Sequence, residues 1–340
     1  MNLKEYYHVT QSGVLNKLQD LNEAIVLLNS NDGYVWFDYI DPSREELSEL
    51  IEPLGLHPLS IEDCVDETQV PKMDDFPTYT LIIFNALYYK DRNLVSDEVD
   101  VFIGKNFVVT VSGFSELSIM PLIGIRGVVE RNLPGVSQGP AWMLHRILDY
   151  TVDQMASSID GLEADIDLAE ESILDSPASF EASRLLYLRR NLLSLRKNLF
   201  PEREILARIS RTECIWVPKK ATVHFRDIYD HLSNYLEMTE SYRDNVNSLM
   251  ELYASMLNNQ MARDSNQTNF SVRRLTLITT IFMPLTLLAG IFGMSEWSMM
   301  TGPENWKFSY LAFGAVMVVI GGANYLLLKW MERRDRRKLL

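Results

Sequence analysis

Two long apolar stretches stand out near the end of the chain, and the polar pattern around them organises everything before. Leu275–Phe292 holds 18 residues without a charge, and Phe308–Leu328 holds 21. A bilayer core is crossed by roughly 20 apolar helical residues, so both predict membrane spans. Only 15 residues, Gly293–Lys307, separate them, which makes the pair a transmembrane hairpin. A buried helical hairpin in a soluble core fits less well, because charges flank both segments. Before them, Pro218 opens a stretch without proline until Pro284. In it Tyr235, Met238, Tyr242, Val246, Leu249, Tyr253 and Met256 recur every three or four residues, the spacing of a coiled-coil seam. If the helix runs from Phe225 through Phe292, it reaches about 100 Å at 1.5 Å per residue. A rod of that length cannot cover its stripe with its own small domain, so copies of the chain around one axis are expected. After Met256 the seam turns polar, with Asn258, Asn259, Gln260, Ser265, Asn266, Gln267, Thr268 and Asn269. Such groups line a wet pore or form a solvated juncture.

Upstream, residues 1–140 read as α/β. Apolar, β-rich runs at Ala24–Leu28, Tyr34–Tyr39, Tyr79–Tyr89, Val99–Ile103 and Phe107–Val111 predict strands, the last two joined by a Gly104-Lys105-Asn106 turn. Helices are predicted at Ser43–Leu54 and Ser60–Asp66, the latter with Ser60 as N-cap. Residues 141–224 predict a helical hairpin. Nine carboxylates and no Lys or Arg lie between Asp149 and Asp175, with Leu148, Val152, Met155, Ile159, Leu162, Ile166, Ala169 and Ile173 on the opposite face. The helix after Asp175-Ser176-Pro177 carries Arg184, Arg189, Arg190, Arg196 and Lys197, so the two are expected to pair antiparallel, partly through charge. The remaining organisation follows: a stalk continuous with the first span at 225–292, a loop at 293–307, the second span at 308–328 and a basic tail at 329–340.

Charge sets the orientation. Arg273 and Arg274 precede the first span, and Lys329, Arg333, Arg334, Arg336, Arg337 and Lys338 follow the second. Excess Lys and Arg stays inside, so both termini are expected in the cytoplasm of a cell whose inner (plasma) membrane holds the protein. No cleaved signal is expected, since Met1–Glu5 lacks an apolar run. The net charge is −14, yet the chain from Arg273 onward sums to +5, which leaves −19 on residues 1–272. That balance argues against nucleic acid and suits attraction of cations, although solubility alone also favours an acidic surface. Cys64 and Cys214 have no CxxC partner and fit a reducing compartment. No phosphate loop, GxGxxG, HExxH or nucleophile–base constellation appears, so no enzyme is expected.

The run Ile281-Phe282-Met283-Pro284-Leu285-Thr286-Leu287-Leu288-Ala289-Gly290-Ile291-Phe292-Gly293-Met294 resembles the CorA family of divalent-cation channels. Phe225-Arg226-Asp227-Ile228-Tyr229-Asp230-His231 and His57-Pro58-Leu59-Ser60-Ile61-Glu62-Asp63, with Pro71-Lys72, extend the likeness over most of the chain. The resemblance implies a funnel-shaped homopentamer, an α/β/α cytoplasmic domain and a pore lined by the first span. It implies pore positions at Asn269, Leu275, Met283 and Thr286, and an outer signature at Gly293, Met294 and Ser295. It further implies regulatory acids at Asp227 and Glu251, with a partner acid near Asp91. The family's signature asparagine is Ser295 here, its usual tyrosine is Phe292, and the stalk is about one heptad longer. Serine has one rotating hydroxyl where asparagine has an amide carbonyl and two donors. The implied ion is Mg²⁺, transported and regulatory, with Zn²⁺, Co²⁺ or Ni²⁺ as alternatives; a non-conducting membrane sensor is the alternative outside transport. His224, Asp227 and His231, on one stalk face, fit a transition-metal site if a partner chain adds a ligand. Mg²⁺ dehydrates reluctantly, so a pore for it needs hydroxyls and amides rather than a cage of carboxylates, and no acid lies within the first span.

Overall fold

The longest β segment is a hairpin whose turn is set by two residues. Strands β5 (Tyr79–Lys90) and β6 (Asn93–Gly104) pair antiparallel along their whole lengths, from Tyr79↔Gly104 to Lys90↔Asn93. Asp91 and Arg92 between them both adopt positive φ, 51° and 66°, the type I′ geometry whose twist matches that of the flanking strands. Asn191 holds the turn from outside, donating through Nδ2 to the Arg92 carbonyl (2.9 Å) and accepting from the Leu94 amide (3.3 Å). The computed structural model describes residues 3–30, 32–65, 69–113, 121–292, 302 and 306–336.

The hairpin belongs to a seven-stranded sheet ordered β2-β1-β3-β7-β6-β5-β4. Its other strands are β1 (Leu3–Val9), β2 (Leu15–Lys17), β3 (Tyr34–Ile40), β4 (Lys72–Asp75) and β7 (Phe107–Ser112). Only β3 and β7 pair in parallel. The run Ala24–Leu28, expected as a strand, is the end of helix α1 (Leu21–Leu28). Asp20 caps that helix by accepting from the Glu23 amide, and only Ala24 and Leu28, one turn apart, are buried. The Ser43–Leu54 segment divides into α2 (Arg44–Ser48), opened by a Ser43–Glu46 capping box, and α3 (Ile51–Leu54). Helix α4 (Pro58–Val65) starts two residues before the expected cap. Ser60 is buried within it, its hydroxyl 2.6 Å from the Tyr79 hydroxyl, and His57 Nδ1 accepts from the Leu59 amide instead.

Helices α1–α4 cover one face of the sheet, where Phe37, Tyr39, Phe102, Val109 and Val111 pack with Leu47, Leu50, Leu54 and Ile61. The other face meets α7 (Pro140–Asp175) and α8 (Ser183–Ser210), after the short helices α5 (Ile125–Arg131) and α6 (Leu133–Val136). β4 pairs with β5 only at Thr80–Ile83. Beyond it, helix side chains take over the strand's main chain: Glu202 accepts from the Asn85 amide (3.1 Å), and Ser158 accepts from the Tyr89 amide (3.1 Å) and donates to the Leu87 carbonyl (2.8 Å). Between α7 and α8 the charge pairing is narrower than expected. Arg184 meets Asp165 at 3.5 Å, while Arg196 and Arg208 turn to Glu240 and Asp75.

β3 is buried throughout, Asp38 included. Its carboxylate accepts from Thr110 Oγ1 (2.6 Å), which accepts from Trp36 Nε1 (2.9 Å). Burial outweighs that bond and pushes the Asp38 carboxyl up to about 6. Folding therefore favours the protonated acid: the associated stability is complete below the usual carboxylate range and is lost as pH rises through about 6. Asp38→Asn is expected to gain up to about 3 kcal/mol over the wild type at pH 8, with the gain vanishing near pH 4. Denaturant titrations of both proteins across that range check it, and parallel pH profiles would refute it.

Candidate functional site

Helix α9 (Thr222–Phe292) spans 71 residues with Pro284 its one internal proline. Residues up to Tyr253 fall in the first of two compact units, and Ala254 onward in the second. In the first unit Phe225, Ile228, Leu232, Leu236, Val246 and Leu249 are buried. Phe225 meets the His145 ring edge-on at 5.5 Å, Tyr253 donates to the Phe180 carbonyl (3.3 Å), and Arg196 reaches Glu240. As far as Tyr253 the helix packs on its own domain; beyond it the side chains of α9 are largely exposed, and the expectation that copies of the chain cover the stripe applies to that part. The buried line also sits one position away from the expected seam at its start, on Leu232, Leu236 and Thr239 rather than Tyr235 and Met238.

The stalk acids divide by surroundings. Asp227 is exposed, 4.0 Å from His231 Nε2, and Glu251 is exposed. His224 lies against His145 instead, ring centroids 5.4 Å apart. Burial, with Arg146 and His224 nearby, lowers His145 to about 4, so it is neutral at physiological pH. Sequence reasoning passed over this histidine, which is set among the apolar residues of α7. Asp91 occupies the β5–β6 turn, beside a cleft also lined by Arg92, Asp165, Glu181 and Arg184. Among the described residues no three His, Cys, Asp or Glu side chains are grouped to hold a metal ion.

In the second unit the expected pore residues share one side of α9. At 100° per residue, Asn269, Leu275, Met283 and Thr286 fall within an arc of about 120°. Leu275 and Met283 are each 66% exposed, and Phe282 and Leu287 are 60% and 65% exposed. Apolar side chains bared to that degree need a cover other than water. The threonines donate into their own helix, Thr286 to the Phe282 carbonyl (2.8 Å) and Thr279 to the Leu275 carbonyl (2.9 Å). With each proton spent on the backbone, the hydroxyl presents acceptor lone pairs outward. Pro284 lacks an amide hydrogen, which frees the Thr280 carbonyl one turn earlier. From Ser265 to Asn269 the polar residues are helical and exposed.

Helix α10 (Trp306–Arg336) holds the second apolar stretch, and both stretches are long and apolar enough to cross a membrane, with none of either apolar window buried. Gly321 lies close to α9: a Cβ there would be 3.6 Å from Leu285 Cδ1, the kind of small-residue approach that membrane helices use. The outer signature, Gly293, Met294 and Ser295, lies outside the described residues.

The sequence profile of the "CorA-like Mg2+ transporter protein" family matches residues 31–333. The cobalt/magnesium transport protein CorA of Thermotoga maritima is 32% identical over 304 residues, covering 88% of this chain and 83% of that protein. The putative metal ion transporter YfjQ of Bacillus subtilis is also 32% identical, over 84% of this chain and 86% of that one. The complete structure of the CorA magnesium transporter from Methanocaldococcus jannaschii superposes with a TM-score of 0.70 at 22% identity, covering 98% of each chain. An α/β domain that runs into one long apolar-ended helix, with a second apolar helix after it, is thus shared along the whole length. The chain belongs to the CorA-like Mg²⁺ transporter family: it is a membrane transporter of divalent cations and not an enzyme.

Proposed function

We propose that the protein is a homopentameric Mg²⁺ uptake channel of the cell inner membrane, with both termini in the cytoplasm and α9 lining the conduit. One observation carries this reading: the α9 arc of Asn269, Leu275, Met283 and Thr286 sets two bare apolar collars between an amide at one end and a hydroxyl at the other, with no acid. Hydrated Mg²⁺ presents water hydrogens, so outward-facing hydroxyl lone pairs suit it better than a dehydrating cage. Leu275 and Met283 act as collars that close by dewetting. Gly293, Met294 and Ser295 form the outer mouth, where a hydroxyl ring replaces the amide ring of the family pattern.

Cytosolic Mg²⁺ closes the channel by bridging acidic protomers. Asp227 is the main ligand, solvent-facing and without a Lys or Arg within 4.0 Å among the described residues. Glu251 and the turn residue Asp91 contribute acidic surface to the same regulation. At −19 on residues 1–272, each protomer repels its neighbours, and a divalent ion bound better in the closed ring offsets that repulsion.

Flux into liposomes carrying the full-length protein tests both parts. Mg²⁺ is expected to pass faster than Zn²⁺, Co²⁺ or Ni²⁺, and Ser295→Asn to shift the ratio between them. Asp227→Lys is expected to weaken inhibition by internal Mg²⁺ about tenfold or more, since it exchanges a ligand for a repelling charge. Faster Zn²⁺ flux would overturn the choice of ion, and unchanged inhibition in Asp227→Lys would overturn the gating site. The stalk histidines lend a transition-metal reading little support, because His224 lies against His145 while only His231 is near Asp227.

A further inference from the structure

Strand β6 carries carboxyl groups where a strand this deep carries apolar side chains. Glu98 and Asp100 are two residues apart and so project from the same side of the strand, toward α4. Asp100 is wholly enclosed and Glu98 is 8% exposed. The two carboxyl groups are within hydrogen-bonding reach of each other. Yet neither Asp100 oxygen nor Glu98 Oε1 meets an N–H or O–H donor. Glu98 Oε2 is the exception, accepting the Gln69 amide at 2.7 Å.

Two facing carboxyl groups are bonded only when one of them keeps a proton, since ionised carboxylates are acceptors alone. Apart from the Cys64 thiol, a weak donor beside Asp100, the surroundings supply no substitute. From α4, Cys64 lies beside Asp100 and Asp63 adds negative charge; from β4, Lys72 adds positive charge near Glu98. Its ammonium is already shared between Asp63 (2.7 Å) and Asp74 (3.5 Å). With both acids ionised, two like charges would stand in a buried place with no counter-charge in contact.

We infer that Asp100 holds a proton and donates it to Glu98, and that this proton works as a latch: it keeps Glu98 seated on the Gln69 amide, tying Gln69, just before β4, to the sheet. Loss of the proton sets the two carboxylates against each other and frees Gln69. Burial sets the working range, raising Glu98 to about 7 and Asp100 well above the carboxylate range. The latch is therefore closed at neutral pH and opens on the alkaline side. It makes the cytosolic domain responsive to protons independently of any metal.

Amide hydrogen exchange on the full-length protein in lipid nanodiscs tests the latch through the protection factor at Gln69. In the wild type, protection is expected to hold through neutral pH and then fall about tenfold per pH unit once the shared proton is lost. Asp100→Asn and Glu98→Gln each replace the proton with a permanent amide donor, so both are expected to keep Gln69 protected at alkaline pH. The infrared carbonyl band of a protonated carboxylic acid should be present in the wild type at neutral pH and diminished in Asp100→Asn. An alkaline loss of protection that persists unchanged in the variants would overturn the inference. So would an acid carbonyl band of equal strength in wild type and Asp100→Asn. Should Asp100→Asn not fold, Glu98→Gln and the wild-type band carry the same decision.

Discussion

Thr286→Val is expected to reduce Mg²⁺ flux about tenfold or more while leaving assembly and membrane insertion intact. Valine has nearly the shape of threonine, so the substitution removes a hydroxyl and little else. Each hydroxyl contributes about 1 kcal/mol to a hydrogen bond in net terms. In the proposed pentamer the change is repeated around the ring, so even partial losses sum beyond the ~1.4 kcal/mol that corresponds to a factor of ten. Thr286→Ser, which keeps the oxygen, should restore most of the flux. Thr286 donates to the Phe282 carbonyl, and serine can do the same. Stopped-flow uptake with a Mg²⁺-sensitive dye inside liposomes measures all three proteins. Equal rates for threonine and valine would mean that the hydroxyl plays no part in conduction.

Phe225→Ala should cost the first compact unit about 3–5 kcal/mol, the usual penalty for emptying a buried aromatic site. Phe225 is fully enclosed and meets the His145 ring edge-on, so the cavity would open where α9 joins its own domain. For a unit of this size, each kcal/mol moves the midpoint by roughly 2–4 °C, so a fall of about 6–20 °C is expected by calorimetry. Arg226→Ala, one residue on and exposed, should stay within about 0.5 kcal/mol of the wild type. The two together separate burial from any general weakness of the stalk. Similar midpoints for both variants would contradict the packing described for α9.

The parts of the fold that were legible in the sequence are those where one physical signal dominates. Strands β3, β5 and β7 are largely apolar, β-rich runs because both faces of the sheet are covered, and they lie where those runs lie; β6 begins six residues before its apolar run, Val99–Ile103. Ala24–Leu28 misled because five apolar residues in a row fit strand and helix equally. The Asp20 cap and the single buried turn at Ala24 and Leu28 decide it, with Val26 left 71% exposed. β4 escaped notice because Lys-Met-Asp-Asp has one apolar residue, and its pairing comes from lying against β5. Ser60 resembled a helix cap in sequence, but the Tyr79 hydroxyl claims it. Such a tertiary contact leaves no trace in local pattern.

Helix α9 was legible for a similar reason. Its length, its charge-free end and its hydroxyl-bearing side need no partner to be recognised. What pattern alone could not reveal was which side of the stalk the domain would occupy, because Tyr235 and Leu236 are equally apolar by composition. The buried acids of β6 did leave a signal: Asp97, Glu98 and Asp100 interrupt a strand that otherwise reads as core. Polar residues in a run meant for burial mark chemistry rather than packing.

Where β4 ends, the free rim of β5 is capped by Glu202 and Ser158 from the helices beside it. An uncapped rim would offer amides and carbonyls to any extended segment nearby and invite indiscriminate, sheet-extending aggregation. Closing it with side chains leaves such segments nothing to zip onto there, which keeps a crowded nascent chain from sticking to its sisters before its membrane portion is in place.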